Sequence, residues 1–228
     1  MYLTRVEIDY RRHSSARELV FVEAIHNWVE RSFPQEFTTK QRSRKLWRLD
    51  RLQGKNYLLI VSATKPDLQI LEHMYGVSGS AQSKDYNAYL QQQLHVGARL
   101  RFRLALNPVI AKSSGCLRGK LKPHITEEYQ LKYLASRAAK HGFSLKKGEF
   151  FVVERDWVVF HRCCRSVETS AHSKGKKRPI ALVKVIYEGV LTVTEVAALH
   201  QLLTLGMGKK KAYGFGMMTV VPFGSEHE

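Results

Sequence analysis

The chain has 228 residues, 44% of them hydrophobic, so it can form one large domain or two of about 100 residues each. Lysine and arginine number 37 against 20 acidic residues, and the net charge of +17 favours a polyanionic partner, nucleic acid rather than a membrane surface. No apolar run approaches the roughly 20 residues that span a bilayer, and the three cysteines lack metal-ligand spacing. We therefore expect a cytoplasmic protein without a membrane segment, bound metal or cofactor.

The first elements are a strand and a helix. Residues 1–8 alternate apolar and charged side chains, which predicts a strand. Ser15 and Glu18 have the spacing of a capping box, so a helix is predicted to begin near Ala16 and to end at Pro34, which cannot continue a helix. Its expected buried stripe recurs at three- and four-residue intervals and consists of Leu19, Val22, Ile25, Val29 and Phe33.

His26 lies at the edge of this stripe. It follows Val22 by four residues and precedes Val29 by three, a position that is partly sheltered yet able to reach outward. A histidine in such a setting can transfer protons near neutral pH. The local pattern leaves open the alternative of an ordinary core or surface histidine.

The rest of the first half predicts a small α+β domain. Its further elements are strands over 46–49 and 57–63, a helix over 67–75, a loop over 77–86 and a strand over 99–106. The order strand, helix, strand, strand, helix, strand is typical of a ferredoxin-like domain, the sheet type that also underlies RNA-binding domains of the RRM kind. We assign this first domain to residues 1–108.

A second domain is assigned to residues 109–228. Its expected parts are an irregular basic segment over 111–123, a helix over 126–140, strands over 150–153, 157–161 and 180–188, a helix ending at Leu205 and a strand over 217–221. Because this order is close to that of the first half, the predicted fold is α+β, with tandem ferredoxin-like (RRM-like) domains whose antiparallel sheets carry helices on one face.

A basic arm occupies residues 162–179, where Glu168 is the single acid. A two-stranded ribbon of this charge can enter a nucleic-acid groove. A solvated loop fits the composition as well. The predicted nucleic-acid contacts of the arm are Arg162, Arg165, Lys174, Lys176, Lys177 and Arg178.

A glycine-rich loop over residues 205–218 joins the last predicted helix to the last strand. Glycines permit backbone torsions closed to other residues, and successive amide N–H groups in such turns form an anion-binding concavity beside which lysines add positive charge. The alternative is a turn whose lysines are merely solvated. The candidate phosphate-binding residues are Gly206, Gly208, Lys209, Lys210, Lys211, Gly214 and Gly216.

Other chemistries lack a signature in the sequence. No paired carboxylates recur at metal-binding spacing, so a metal-dependent nuclease has no identifiable ligands. Walker, dinucleotide-binding and Gly-x-Ser-x-Gly motifs are absent as well.

Five stretches together, in order and spacing, resemble the CRISPR-associated endoribonuclease family CasE of type I-E systems. They are residues 1–6, Ile25-His26 leading to Phe33-Pro34, and residues 101–108, 187–193 and 206–218. The resemblance spans almost the whole chain. It implies two ferredoxin-like domains and metal-independent cleavage of CRISPR repeat RNA at the base of its stem-loop. It also implies that the protein keeps the mature guide RNA and joins the other Cascade subunits.

The resemblance also implies a mechanism. The family's catalytic histidine lies on the first helix, shortly before a Phe-Pro helix end, and only His26 occupies that position. Such an enzyme uses the 2′-hydroxyl of its substrate as nucleophile, so the protein supplies only proton transfer and charge stabilisation. The expected products are a 5′-hydroxyl and a 2′,3′-cyclic phosphate. The competing interpretation is a non-catalytic subunit that only captures the repeat hairpin.

The sequence departs from the family at one position near His26. Family members carry a tyrosine three residues before the histidine, where this chain has Glu23. We hypothesise that Glu23 hydrogen-bonds His26, raises the pKa of the imidazole and favours a general-acid role. The alternative is that Glu23 is a solvated helix charge.

Overall fold

The computed structural model describes residues 1–114, 117–160 and 180–224. The elements of the first half are β1 (Tyr2–Glu7), α1 (His13–Glu18), α2 (Val22–Arg31), α3 (Pro34–Thr39), β2 (Leu46–Leu52), β3 (Lys55–Ser62), α4 (Leu68–Tyr75), β4 (Gln82–Asp85) and α5 (Tyr86–Gln93). Those of the second half are β5 (Arg99–Leu106), β6 (Val109–Ser114), β7 (Leu117–Pro123), α6 (Glu127–Ala138), β8 (Phe143–Phe160), β9 (Ile180–Val193), α7 (Val196–Leu205) and β10 (Met218–Pro222).

Two four-stranded antiparallel sheets organise these elements. The first has the order β2-β3-β1-β4 and the second the order β10-β5-β9-β8. In each, the last strand of the unit lies beside the first and the second strand forms the opposite edge, which is the ferredoxin-like arrangement. The predicted α+β class with tandem ferredoxin-like units is therefore confirmed.

The strand over 99–106 is correctly predicted, but its assignment to the first sheet is wrong. As β5 it pairs with β9 and with β10, both in the second sheet. The fourth strand of the first sheet is instead β4, which lies in the predicted loop and pairs with β1. The four residues of β4 are all polar, so backbone hydrogen bonds at a sheet edge hold a segment without apolar alternation. The position of the domain boundary stays a proposal. Because β5 belongs to the second sheet, its pairing favours a boundary before Arg99 rather than the predicted boundary at residue 108.

The predicted first helix is divided into two. α1 begins at His13 without a side-chain cap, so the prediction of a capping box at Ser15 is wrong. α2 begins separately, after Phe21. The buried stripe is confirmed at Ile25, Val29 and Phe33. Pro34 lies in the first turn of α3, where backbone N–H groups make no hydrogen bond within the helix, so the missing N–H of proline costs nothing.

Two expectations for the second half need correction, and a third is confirmed. Residues 111–114 and 117–123 are not irregular, because β6 and β7 pair there as antiparallel strands. The predicted strands over 150–153 and 157–161 belong, as far as residue 160, to one long strand, β8, whose register with β9 shifts twice. The helix over 126–140 is confirmed as α6, followed by a 3₁₀ turn, Ala139–His141.

Arg48 joins the two sheets. Its guanidinium is 1% exposed and donates to both carboxylate oxygens of Asp50 on its own strand, β2. It also donates to the carbonyl oxygens of Arg103 in β5 (2.7 Å) and Met217 (3.0 Å), and to the hydroxyl of Thr219 in β10 (2.7 Å). We call this group the Arg48 latch. It fixes how the second unit, and the glycine-rich loop before β10, sit against the first.

Among the described residues, no helix combines the length and apolar character that crossing a membrane requires.

Candidate active site

His26 lines a cleft between the two units. It sits half-buried on α2, whose inward face is formed by Ile25, Trp28 and Val29. The indole N–H of Trp28 donates to the carbonyl oxygen of Leu71 in α4 at 3.0 Å, which fixes the helix. The cleft has a volume of about 540 Å³ and is lined by His26, Val29, Glu30, Ser43, Arg44, Lys45, Trp47, Gly208, Lys209, Lys210, Lys211 and Ala212.

The glycine-rich loop and α2 both line this cleft, so residues distant in sequence share one site. The loop rests on Trp47, whose indole N–H donates to the carbonyl oxygen of Ala212 at 3.2 Å. Gly214 has φ +81°, and a Cβ there would lie 2.7 Å from the Trp47 ring. A Cβ at Gly206 would lie 2.6 Å from a methyl group of Leu46. Packing against β2 therefore requires glycine at these two positions.

The amides of three loop glycines donate within the protein. Gly206 donates to Leu202, Gly214 to Lys211 and Gly216 to Ala105, at 2.8, 3.2 and 2.7 Å. These bonds close the loop and indicate that the three glycines shape it. Direct contact between them and RNA stays a prediction.

The three lysines of the loop form the outer edge of the cleft, which we call the lysine rim (Lys209, Lys210 and Lys211). Lys209 and Lys210 are exposed, and Gly208 beside them is exposed too. Lys211 donates from Nζ to the carbonyl oxygen of Leu205 at 2.7 Å. Partial burial lowers the pKa of Lys211, and the charge of Arg44 lowers it further. With Arg44 and Lys45 also lining the cleft, the site suits an anionic ligand such as a phosphodiester.

Burial lowers the pKa of His26 below the ordinary histidine value near 6.5. Glu30 opposes this effect and raises the pKa, whereas Lys45 and Arg42 lower it further. His26 is therefore largely neutral at neutral pH and able to accept a proton. The predicted rise in the pKa of His26, assigned to Glu23, is wrong in direction. A role for Glu23 in proton transfer stays a prediction.

Glu30 is held next to His26 by a buried ion-pair network. Lys45, 5% exposed, lies with Nζ 2.6 Å from Glu36 and 3.5 Å from Glu30, and 4.7 Å from the centroid of the Phe33 ring. Sequence reasoning missed both Glu30 and Lys45. The available signal for Glu30 was its position four residues after His26, on the same face of α2. Lys45 has no such signal, because its place depends on how the segment before β2 folds back over α2.

Tyr213 is a further residue to which the sequence assigned no role. It ends a 3₁₀ turn, Lys211–Tyr213, and its ring centroid lies 6.5 Å from that of His26 with 42° between the ring planes.

The predicted arm residues lie outside the described residues, so their contacts with RNA stay a prediction. They are Arg162, Arg165, Lys174, Lys176, Lys177 and Arg178. In the described ranges, 1–114, 117–160 and 180–224, no group of three metal-ligand side chains converges.

Comparisons with known proteins identify a family and similar folds. A family model described as CRISPR associated protein matches residues 1–222. The CRISPR-associated endoribonuclease Cse3 of Thermus thermophilus is 26% identical over 225 residues, which cover 97% of this chain and 100% of that protein. The structure of CRISPR endoribonuclease Cse3 bound to 19 nt RNA is similar with a TM-score of 0.77 and 24% identity over 97% of this chain and 100% of that one. A chain of a CRISPR RNA-guided surveillance complex, pre-nicking, is similar with a TM-score of 0.62 and 19% identity over 98% and 100%.

Proposed function

Because the chain belongs to the CRISPR-associated protein family, we propose that it is an endoribonuclease that cleaves CRISPR repeat RNA at the base of its stem-loop. The name of the relative that it matches over nearly its whole length supports this activity. Structural likeness to Cse3 bound to RNA and to a chain of a surveillance complex supports two kinds of partner. They are repeat RNA, as precursor and mature guide, and the other Cascade subunits. We place the protein in the cytoplasm.

The observation that carries this proposal is that His26 and the lysine rim line the same cleft. A neutral imidazole on one wall can accept a proton from a substrate hydroxyl, while ammonium groups on the other wall face the phosphate. Cleavage by internal attack needs these two functions and no hydrolytic water.

We assign His26 the role of general base. The imidazole takes the proton of the 2′-hydroxyl as O2′ attacks the adjacent phosphorus, and the bond from phosphorus to O5′ breaks. The lysine rim stabilises the negative charge that builds up on the phosphoryl oxygens. O5′ leaves with a proton that an ammonium group of the rim can supply. The products are a 2′,3′-cyclic phosphate and a 5′-hydroxyl, so atoms and charge balance without a further reactant.

The test is incubation of a repeat hairpin RNA with the protein in EDTA, followed by mapping of the product ends. We expect one cut at the base of the stem, with a cyclic phosphate upstream and a 5′-hydroxyl downstream. Tight binding without any cut identifies the alternative, a non-catalytic subunit that only captures the hairpin. Cutting that stops in EDTA and returns with Mg²⁺ contradicts the mechanism.

The pH profile tests the electrostatics of His26. We expect kcat/KM to fall on the acid side with an apparent pKa below the ordinary histidine value, since protonation removes the base. Glu30→Gln should move this acid limb to still lower pH, because Glu30 raises the pKa while burial, Lys45 and Arg42 remain. The measurement is kcat/KM across the pH range, from single-turnover cleavage rates at RNA concentrations far below saturation. The comparison variant is Glu23→Gln, which removes a carboxylate of the same helix. If the acid limb moves in Glu23→Gln and not in Glu30→Gln, then Glu23 is the residue that adjusts the pKa of His26.

The lysine rim is expected to act mainly in binding. Replacing Lys209, Lys210 and Lys211 by glutamine should weaken RNA binding. The slope of the logarithm of the association constant against the logarithm of the salt concentration should also become shallower by about one for each phosphate that is no longer neutralised. The measurement is Kd against salt concentration. The double variant Lys146→Gln/Lys147→Gln removes exposed charge elsewhere and controls for net charge. A triple variant that keeps both the Kd and the single-turnover cleavage rate of the unmodified protein reduces the loop to a structural turn.

A further inference from the structure

The imidazole of His26 has an aromatic neighbour from the opposite end of the chain. The Tyr213 ring lies 6.5 Å away between centroids, tilted by 42°, and both residues are half-buried. His26 belongs to the first unit and Tyr213 to the second, so the pair exists only when the two are docked. The loop residues before Tyr213, from Gly208 to Ala212, line the cleft itself. Tyr213 thus follows directly after the wall that faces His26.

The backbone of Tyr213 is firmly held. Its N–H donates to the carbonyl oxygen of Lys210 at 2.9 Å, and Lys210 and Gly214, which flank this turn, both have positive φ, 68° and 81°. The preceding residue, Ala212, accepts the hydrogen bond from Trp47, and Gly214 lies against the Trp47 ring. A turn with these constraints delivers the Tyr213 ring to one place beside α2.

A histidine at the edge of a helix can rotate about two side-chain bonds, and only some orientations direct a ring nitrogen into the cleft. A ring packed beside the imidazole limits those orientations and excludes water from one side. We propose that Tyr213 is a positioning residue for His26, whose ring holds the imidazole in the orientation that accepts the proton of the 2′-hydroxyl. This inference rests on the proposed function, in which His26 is the general base.

Other groups around His26 carry charge and stay unchanged when Tyr213 is replaced. They are Glu23 and Glu30 on α2, Arg42, Arg44 and Lys45 before β2, and Lys209, Lys210 and Lys211 of the lysine rim. A change in the titration of His26 in a Tyr213 variant therefore reports the loss of the ring. Because burial is the largest cause of the lowered pKa of His26, removal of the ring should raise that pKa.

The experiment compares Tyr213→Ala and Tyr213→Phe with the unmodified protein. The readouts are the single-turnover cleavage rate at saturating RNA across pH and the titration of the His26 ring by NMR in the RNA-free protein. We expect Tyr213→Ala to slow cleavage by about 10-fold to 100-fold, the scale of a small misplacement of a reacting group, and to move the acid limb to higher pH. Tyr213→Phe keeps the ring and should restore both the rate and the profile.

Two results overturn the inference. One is a rate and a His26 titration in Tyr213→Ala that match the unmodified protein. The other is a Tyr213→Phe variant as slow as Tyr213→Ala, which assigns the effect to the hydroxyl rather than the ring. If Tyr213→Ala does not fold, Tyr213→Gln keeps a long side chain without the ring and takes its place. His26→Ala separates the two levels of argument: cleavage by that variant contradicts the proposed function, whereas its inactivity beside a normal Tyr213→Ala contradicts this inference alone.

Discussion

Replacement of His26 by alanine is expected to slow cleavage of the repeat hairpin by about 10²-fold to 10⁴-fold, the range that a positioned acid–base group contributes. The loss should lie in the chemical step, because the lysine rim and Arg44 remain in place to hold the RNA. Single-turnover rates at saturating RNA, with Kd measured by equilibrium binding, separate the two effects. Retained binding with a cleavage rate reduced to this extent is the predicted pair of results.

His95→Ala is the matched control. His95 lies exposed between α5 and β5, and its replacement should leave both the rate and Kd unchanged. Cleavage by His26→Ala at the rate of the unmodified protein removes the imidazole from the mechanism. Weaker binding in His26→Ala, with an unchanged rate once RNA saturates the protein, makes His26 a binding residue instead.

The second large effect is expected at the Arg48 latch. Arg48→Met removes the buried guanidinium and leaves Asp50, 6% exposed, without the closer of its two cationic partners. Breaking a buried charge pair from one side costs about 3–5 kcal/mol, and the carbonyl oxygens of Arg103 and Met217 are deprived of a donor as well. Urea unfolding should show a lower free energy of unfolding by that amount.

Arg51→Met is the control for Arg48→Met. Arg51 belongs to the same strand but is exposed, so its replacement should change the free energy of unfolding by less than about 0.5 kcal/mol. Arg48→Met should also slow cleavage in the folded protein, because the latch ends on Met217, next to the loop that faces His26. Equal stability of the Arg48 and Arg51 variants contradicts the importance of the latch.

The elements that were predicted well from the sequence are those in which buried apolar residues recur at a regular interval. Ile25 and Val29 of the predicted stripe identified the buried face of α2, since a helix repeats its inward side every three or four residues. β4 has no such signal, because all four of its residues are polar. β5 shows a clear alternation of polar and apolar residues. This alternation indicates which side chains of β5 face inward, but it does not indicate which strands pair with β5.

The candidate site was predictable to a similar degree. His26 could be chosen because a helix fixes its place and a family resemblance supplies its role. Tyr213 and Lys45 could not be chosen, since both reach His26 only through packing between segments that are separate in sequence. The glycines illustrate the same limit. A positive φ at Gly214 could be expected in a glycine-rich loop. The contact of Gly214 with Trp47 could not, because it depends on the docking of the two units.

The placement of the loop on Trp47 also sets an order of events during protein synthesis. The ribosome makes α2 and His26 early, whereas the lysine rim and Tyr213 leave it only after both sheets have most of their strands. A nascent chain can therefore fold the first unit and display His26 without the wall that binds the phosphate. In the folded protein, β10 is paired with β5 and the loop that precedes it rests on Trp47. Until that last part of the chain has been synthesised, His26 lacks the lysine-bearing side of its cleft.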